Sequence, residues 1–165
     1  MSESERKRRN RLNGFWSVDG FCQTIAVNFM SYYWGDQCIC IDEQSIGHKG
    51  RPRCKVYNPH KPHKFHFKVF CLNDSLTGYC INFFMYQGKN EKRPEGEAAT
   101  SYPIKMLLNF TRFFHKGIVL SIDNWYSSMG IAKWLLEKGI EFCGTLRLNR
   151  KGVHMGWRYR NTGGV

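Results

Sequence analysis

Long hydrophobic runs are missing from this chain. No apolar stretch approaches the roughly 20 residues that a membrane helix needs, which excludes a helical membrane span. The N-terminal residues lack the apolar core of a secretory leader, so the chain is expected to be soluble and intracellular. Acidic residues are scarce: 13 Asp and Glu stand against 25 Lys and Arg, a formal net charge of +12. That balance disfavours a basic partner and points to a polyanion, nucleic acid first. The plainer reading is charge kept for solubility. Among the seven cysteines (22, 38, 40, 54, 71, 80 and 143) there is no C-x-x-C pair, and their number is odd. Zinc ribbons and disulfide scaffolds are therefore disfavoured. Reduced, mostly buried thiols in a cytosolic or nuclear protein are expected. No internal repeat is visible.

What is present suffices for one domain with a real core: 165 residues, 42% apolar and 15% aromatic. Residues 1–33 read as a basic N-terminal tail and lead-in segment. The run Arg6-Lys7-Arg8-Arg9, with Arg11, is expected to be unstructured. It would serve as a nuclear-import signal or a DNA-contacting arm, or be only a solvated tail. Without an import role the protein would be cytoplasmic. In residues 14–33, Ile25, Phe29 and Tyr32 or Tyr33 share a helical face, which suggests a helix leading into the fold.

The body of the chain, 34–150, alternates strand and helix signals. A strand is expected at about 36–42 and a Gly, Pro, Lys, Arg and His-rich loop at 43–64. Phe65–Leu72 and Tyr79–Tyr86 should form an antiparallel hairpin, because Asn73-Asp74-Ser75 and Gly78 supply turn chemistry. Tyr102–His115 reads as a helix capped by Thr100 or Ser101, with Pro103 in its first turn and a stripe of Ile104, Leu107, Leu108 and Phe114. A strand to Asp123 follows. A helix over about 127–138 comes next, capped by Ser127 or Ser128, with Met129, Ala132, Leu135 and Leu136 inward and Lys138-Gly139 at its end. Glu141–Leu146 is the last expected strand, and 151–165 should be a flexible tail. Three antiparallel strands followed by helix, strand, helix, strand is an α/β order that opens a ribonuclease-H-like fold. In that fold the tips of the first and fourth strands lie side by side.

Those two strands carry the most informative residues. Asp42 closes Cys38-Ile39-Cys40-Ile41, and Asp123 closes Ile118-Val119-Leu120-Ser121-Ile122. Carboxylates at the tips of buried strands are rigidly held and reach solvent. Two such groups side by side repel one another, and a divalent cation relieves that repulsion. The plainer readings are a turn aspartate for Asp42 and a helix cap for Asp123. Glu43 should point to the opposite strand face from Asp42, and Asp74 fits a turn. Lys49, Arg51, Lys61, Lys64, Arg147 and Arg150 are candidate phosphate contacts, against the reading of a mobile charged loop. His60, His63 and His66 with Cys54 raise zinc, but their spacing fits no standard finger. Trp125 and Tyr126 could stack on an unpaired base or wedge a helix against the sheet, the latter being favoured.

Several of these segments resemble piggyBac-type transposases. Ile41-Asp42-Glu43-Gln44 is similar to the opening catalytic motif, Lys49-Gly50-Arg51 to the basic loop after it, and Asn58–Lys68 to a Pro-Lys-rich run into the second strand. Asp74-Ser75 and Thr77-Gly78-Tyr79 look like the hairpin turn. Asp123–Ser128 is similar to the second catalytic motif, and Gly144–Gly152 to the strand beyond it. The resemblance covers about 34–152. It implies a mixed-sheet DDE transposase core, C-terminally truncated, in which Asp42 and Asp123 hold Mg²⁺ or Mn²⁺ for in-line attack on a DNA phosphodiester. The family's third catalytic aspartate has no counterpart in these residues, so metal is expected to bind weakly and the fragment to be inactive. Whether it counts as an enzyme stays open. The alternative is a domesticated, non-catalytic DNA-binding protein. Double-stranded DNA, as transposon ends or without specificity, is the implied partner in either case, no membrane is, and homodimerisation is left open.

Overall fold

Alternation of apolar side chains on Cys38–Ile41, Phe65–Leu72 and Val119–Ile122 builds the sheet that organises this protein. A computed structural model describes residues 2–33, 35–88, 91, 93–109 and 117–153. In chain order the elements are α1 (Glu3–Leu12), α2 (Asp19–Tyr32), β1 (Cys38–Gly47), β2 (Val56–Tyr57), β3 (Phe65–Asp74), β4 (Cys80–Met85), α3 (Tyr102–Asn109), β5 (Val119–Ile122), α4 (Met129–Glu137) and β6 (Glu141–Gly144). The strands form one mixed sheet in the order β2-β3-β1-β5-β6, with β4 also paired to β3. β1, β3 and β4 are antiparallel neighbours, whereas β5 lies parallel to both β1 and β6. The expected order of three antiparallel strands, then helix, strand, helix, strand, is present.

One sheet face carries Ile39, Ile41, Phe70, Leu72, Leu120 and Ile122. These pack on Ile104, Leu107 and Leu108 of α3 and on Tyr126, Ile131 and Leu135 at and after the β5 end. Burying each large aliphatic side chain contributes about 1.5–3 kcal/mol, so this layer is the main source of stability. Among the described residues the other face is covered over β3 and β4, Phe15 meeting Phe67 edge-on at 5.0 Å. There Phe29 of α2 packs on Tyr79 and Phe83, and the Tyr79 hydroxyl donates to the Phe29 carbonyl. The register aligns Cys40, Ser121 and Cys143 on that open face. Of the seven free thiols only Cys54 and Cys71 are buried, and Cys38 and Cys143 are exposed. The expectation of mostly buried thiols is thus corrected: over β1, β5 and β6, where Cys38, Cys40 and Cys143 lie, no described layer covers that face.

Three local expectations are also corrected. The N-terminal run is helical rather than unstructured. Ser2 accepts the Glu5 N–H as an N-cap, and Glu3–Lys7, Glu5–Arg8 and Glu5–Arg9 pair one turn apart. β1 does not stop at Asp42 but continues to Gly47, because β3 pairs with it out to Gly47↔His66 after β5 has ended. In α4, Ile131 and Leu135 face inward and Leu136 is 75% exposed, because the Ser128 cap sets the helix start at Met129 and fixes which side turns in.

Elsewhere the local chemistry is as expected, with differences of detail. Asp74 organises the β3–β4 turn, its Oδ1 accepting from Leu76 N, Thr77 N and Thr77 Oγ1 and its Oδ2 from Asp36 N. Ile104, Leu107 and Leu108 form the buried stripe of α3. Ser101 bonds back to the Ala98 carbonyl and to Glu97 instead of capping α3. Phe114 and most of the 151–165 tail lie outside the described residues.

Candidate functional site

The register of β1 with β5 brings the two aspartates together. Cys38 pairs with Val119 and the ladder runs to Ile41 opposite Ile122. The next residue on each strand is an aspartate. Neighbouring strands lie about 4.8 Å apart, so Asp42 and Asp123 are direct neighbours at the point where β5 ends. Both are exposed.

Each carboxylate is anchored through one oxygen. Asp42 Oδ1 accepts the Glu43 N–H at 2.7 Å. Asp123 Oδ1 accepts the N–H groups of Trp125 at 2.9 Å and Tyr126 at 3.3 Å, while its carbonyl accepts from Ser127 N and Oγ. Asp123 therefore closes its own turn. Helix α4 is capped by Ser128, which accepts from Ile131 N. Neither Oδ2 has a hydrogen-bond partner among the described residues. Two adjacent carboxylates, each with one oxygen unpartnered among the described residues, suit a hard divalent cation. No third His, Cys, Asp or Glu joins them in a metal-holding group among the described residues.

Beneath the pair lies a polar cluster that the sequence did not reveal. Glu43 shares the sheet face of Ile39 and Ile41, opposite to Asp42, as strand alternation requires. Its Oε1 meets Lys68 Nζ at 2.5 Å, with the two side chains only 24% and 17% exposed. It also accepts the Tyr126 hydroxyl at 3.3 Å. Lys68 Nζ lies 4.6 Å from the centre of the Trp125 ring and 4.7 Å from that of Phe70. Burial, followed by the charges of Glu43, Asp123 and Asp42, pushes the Tyr126 phenol well above its ordinary value. It therefore stays a neutral donor. Trp125 stacks on Phe70 at 6.4 Å and meets Tyr126 edge-on at 4.8 Å, so its ring is a packing group.

The six candidate phosphate contacts fall into two groups that the fold keeps apart. Lys49, Arg51, Lys61 and Lys64 lie in the loop between β1 and β3, where all but the half-buried Lys61 are exposed. Gly47 lies five strand positions beyond Asp42, about 17 Å of extended chain. Arg147 and Arg150 instead sit beside Asp123. Arg147 donates to Asn124 Oδ1, and Arg150 donates to the Asn124 carbonyl at 3.1 Å and the Trp125 carbonyl at 2.8 Å. Arg150 thus ties down the aspartate loop, a task its sequence position did not suggest. His66, one of the residues that raised zinc, is buried with its Nδ1 bonded to the His63 carbonyl.

Comparison with known proteins agrees with this fold. Residues 3–157 match the family described as Transposase IS4. Among solved structures, the chain is similar to piggyBac transposase as seen by cryo-EM in a synaptic complex with hairpin DNA, with a TM-score of 0.87 and 26% sequence identity. The match covers 99% of this chain and 34% of that one, so this chain spans about a third of that transposase's length.

Proposed function

Because the chain belongs to the Transposase IS4 family and is of the piggyBac type, with that family's ribonuclease-H-like DDE fold, we propose that Asp42 and Asp123 are acidic metal ligands for DNA strand cleavage and transfer. The observation that carries this reading is the register: the ladder's last pair is Ile41↔Ile122, and an aspartate follows on both strands. A divalent cation bound there, Mg²⁺ or Mn²⁺, would supply Lewis acidity toward a phosphodiester. The chain's own part is to hold two carboxylates side by side, each fixed through one oxygen, with the second oxygens unpartnered among the described residues. Two carboxylates hold Mg²⁺ only loosely, since that ion keeps several waters. A polypeptide of these 165 residues therefore binds metal weakly and does not cut DNA above background.

Duplex DNA is the partner that the charge of +12 and the exposed loop cations support. The similar transposase was captured with hairpin DNA. The exposed basic residues of α1 support a nuclear address. The second reading, a DNA-binding protein without chemistry, is favoured by the distance between the loop cations and the aspartates.

A nicking assay on supercoiled plasmid with Mn²⁺ tests the reading. The expected result is retention of plasmid without nicking by the polypeptide. Metal-dependent nicking that disappears in both Asp42→Asn and Asp123→Asn would overturn the claim of inactivity while confirming the site. Nicking that persists in both variants would remove the two aspartates from the chemistry.

A further inference from the structure

The β1–β5 ladder ends where the aspartates begin. Its last pair is Ile41↔Ile122, so the strand bonds reach no further than the Asp123 backbone and leave the turn that holds its carboxylate to other contacts. We propose that Lys68, Glu43 and Tyr126 form a positioning brace that ties the Asp123 loop to β1 and so sets the spacing of the two carboxylates. The purpose assigned to this brace rests on the metal reading above.

Glu43 directly follows Asp42, and Tyr126 lies three residues after Asp123. The bond from the Tyr126 hydroxyl to Glu43 Oε1 therefore joins the neighbour of one aspartate to the turn that carries the other, across 83 residues of sequence. Tyr126 works at both of its ends. Its backbone N–H donates to Asp123 Oδ1 while its hydroxyl reaches Glu43, and its ring is 1% exposed.

Lys68 completes the circuit. It pairs with Glu43 and lies over the Trp125 ring, and the Trp125 N–H donates to the same Asp123 Oδ1. Lys68, Glu43, Tyr126, Asp123 and Trp125 thus form a closed ring of contacts around the end of β5. The Lys68 ammonium also balances the Glu43 carboxylate, which otherwise would place a third negative charge beside the aspartates. Glu43 is not itself a ligand, since it shares the inward strand face and both its partners are protein groups. These are positioning residues, holding ligands as outer-shell partners do in metal sites.

The test compares the wild-type polypeptide with Tyr126→Phe, Glu43→Gln and Glu43→Leu by residue-resolved amide hydrogen exchange, thermal melting and calorimetric Mn²⁺ titration. Tyr126→Phe removes one hydroxyl. It should speed exchange at the amides of residues 125 and 126 about tenfold, the scale of one buried hydrogen bond, and leave the Ile39 and Leu120 amides unchanged. Mn²⁺ affinity should fall about tenfold. Glu43→Leu should match it, and Glu43→Gln, which keeps an acceptor for the hydroxyl, should retain the protection. Unchanged exchange at 125 and 126 in Tyr126→Phe and Glu43→Leu would overturn the brace. So would uniform acceleration through the sheet, which marks a general loss of stability. If the wild-type chain takes up no Mn²⁺ yet exchange responds as expected, the metal reading fails and the brace stands.

Discussion

Gly144 lies opposite Ile122 at the end of the β5–β6 ladder, and a Cβ on it would stand 2.5 Å from the Ile122 carbonyl oxygen and 2.9 Å from Ser127 Oγ. That carbonyl belongs to the peptide leading into Asp123, and the Ser127 hydroxyl bonds the Asp123 carbonyl. Side-chain bulk at 144 therefore presses on both supports of one aspartate. Gly144→Ala should cost about 1–3 kcal/mol of stability through overpacking, read by urea denaturation. It should also weaken the Mn²⁺ response. A wild-type denaturation midpoint would show that the strands can part freely at this point.

Asp74 predicts how stability depends on acid. Burial alone would raise its pKa, but hydrogen bonds from Thr77 N, Asp36 N, Thr77 Oγ1 and Leu76 N outweigh burial and hold it at about 2, below the ordinary 3.8. A carboxyl depressed on folding contributes stability that is full above its unfolded value and lost as pH falls through its folded one. The contribution should therefore vanish between about pH 4 and pH 2. Asp74→Ala should lower stability at neutral pH by about 1–3 kcal/mol and flatten the acid limb of a plot of unfolding free energy against pH. An unchanged acid limb would mean that the turn does not depend on the charge.

DNA binding should be electrostatic. Phosphate contacts by Lys49, Arg51, Lys61 and Lys64 carry no sequence information, so affinity should vary little with sequence and fall steeply with salt. The double variant Lys49→Ala, Arg51→Ala should reduce the slope of log affinity against log salt by about two, measured by fluorescence anisotropy. Arg150→Ala should act differently, loosening the Asn124-Trp125 carbonyls that it holds and so disturbing metal binding more than the salt slope. Affinity that barely changes with salt would contradict the role of the loop.

Some of this was legible in the residues alone, for identifiable reasons. The apolar runs ending in Asp42 and Asp123 declared two central strands, and strand order placed them side by side. Asp74 with Gly78 declared the hairpin, because a turn's chemistry is local. The brace was not legible, because it depends on register: Lys68 reaches Glu43 only once Phe70 is set opposite Glu43 and Ser45 opposite Lys68. The length of β1 was hidden for a similar reason. Gln44 and Ser45 look like loop residues, yet a single antiparallel neighbour suffices to hold them. Exposure of Cys38 and Cys143 depends on which layers cover the sheet, which strand periodicity does not encode. The helicity of α1 came from its Glu–Arg spacing, outweighed in the sequence by the density of like charge.

The central claim is that Asp42 and Asp123 act as one metal-binding pair. Calorimetric titration of the wild-type polypeptide with Mn²⁺, beside Asp42→Asn and Asp123→Asn, tests it most directly. The account predicts weak saturable binding in the wild type that either substitution alone abolishes, with the fold unchanged or slightly more stable as like-charge repulsion is removed. Mn²⁺ binding that survives both substitutions would contradict it.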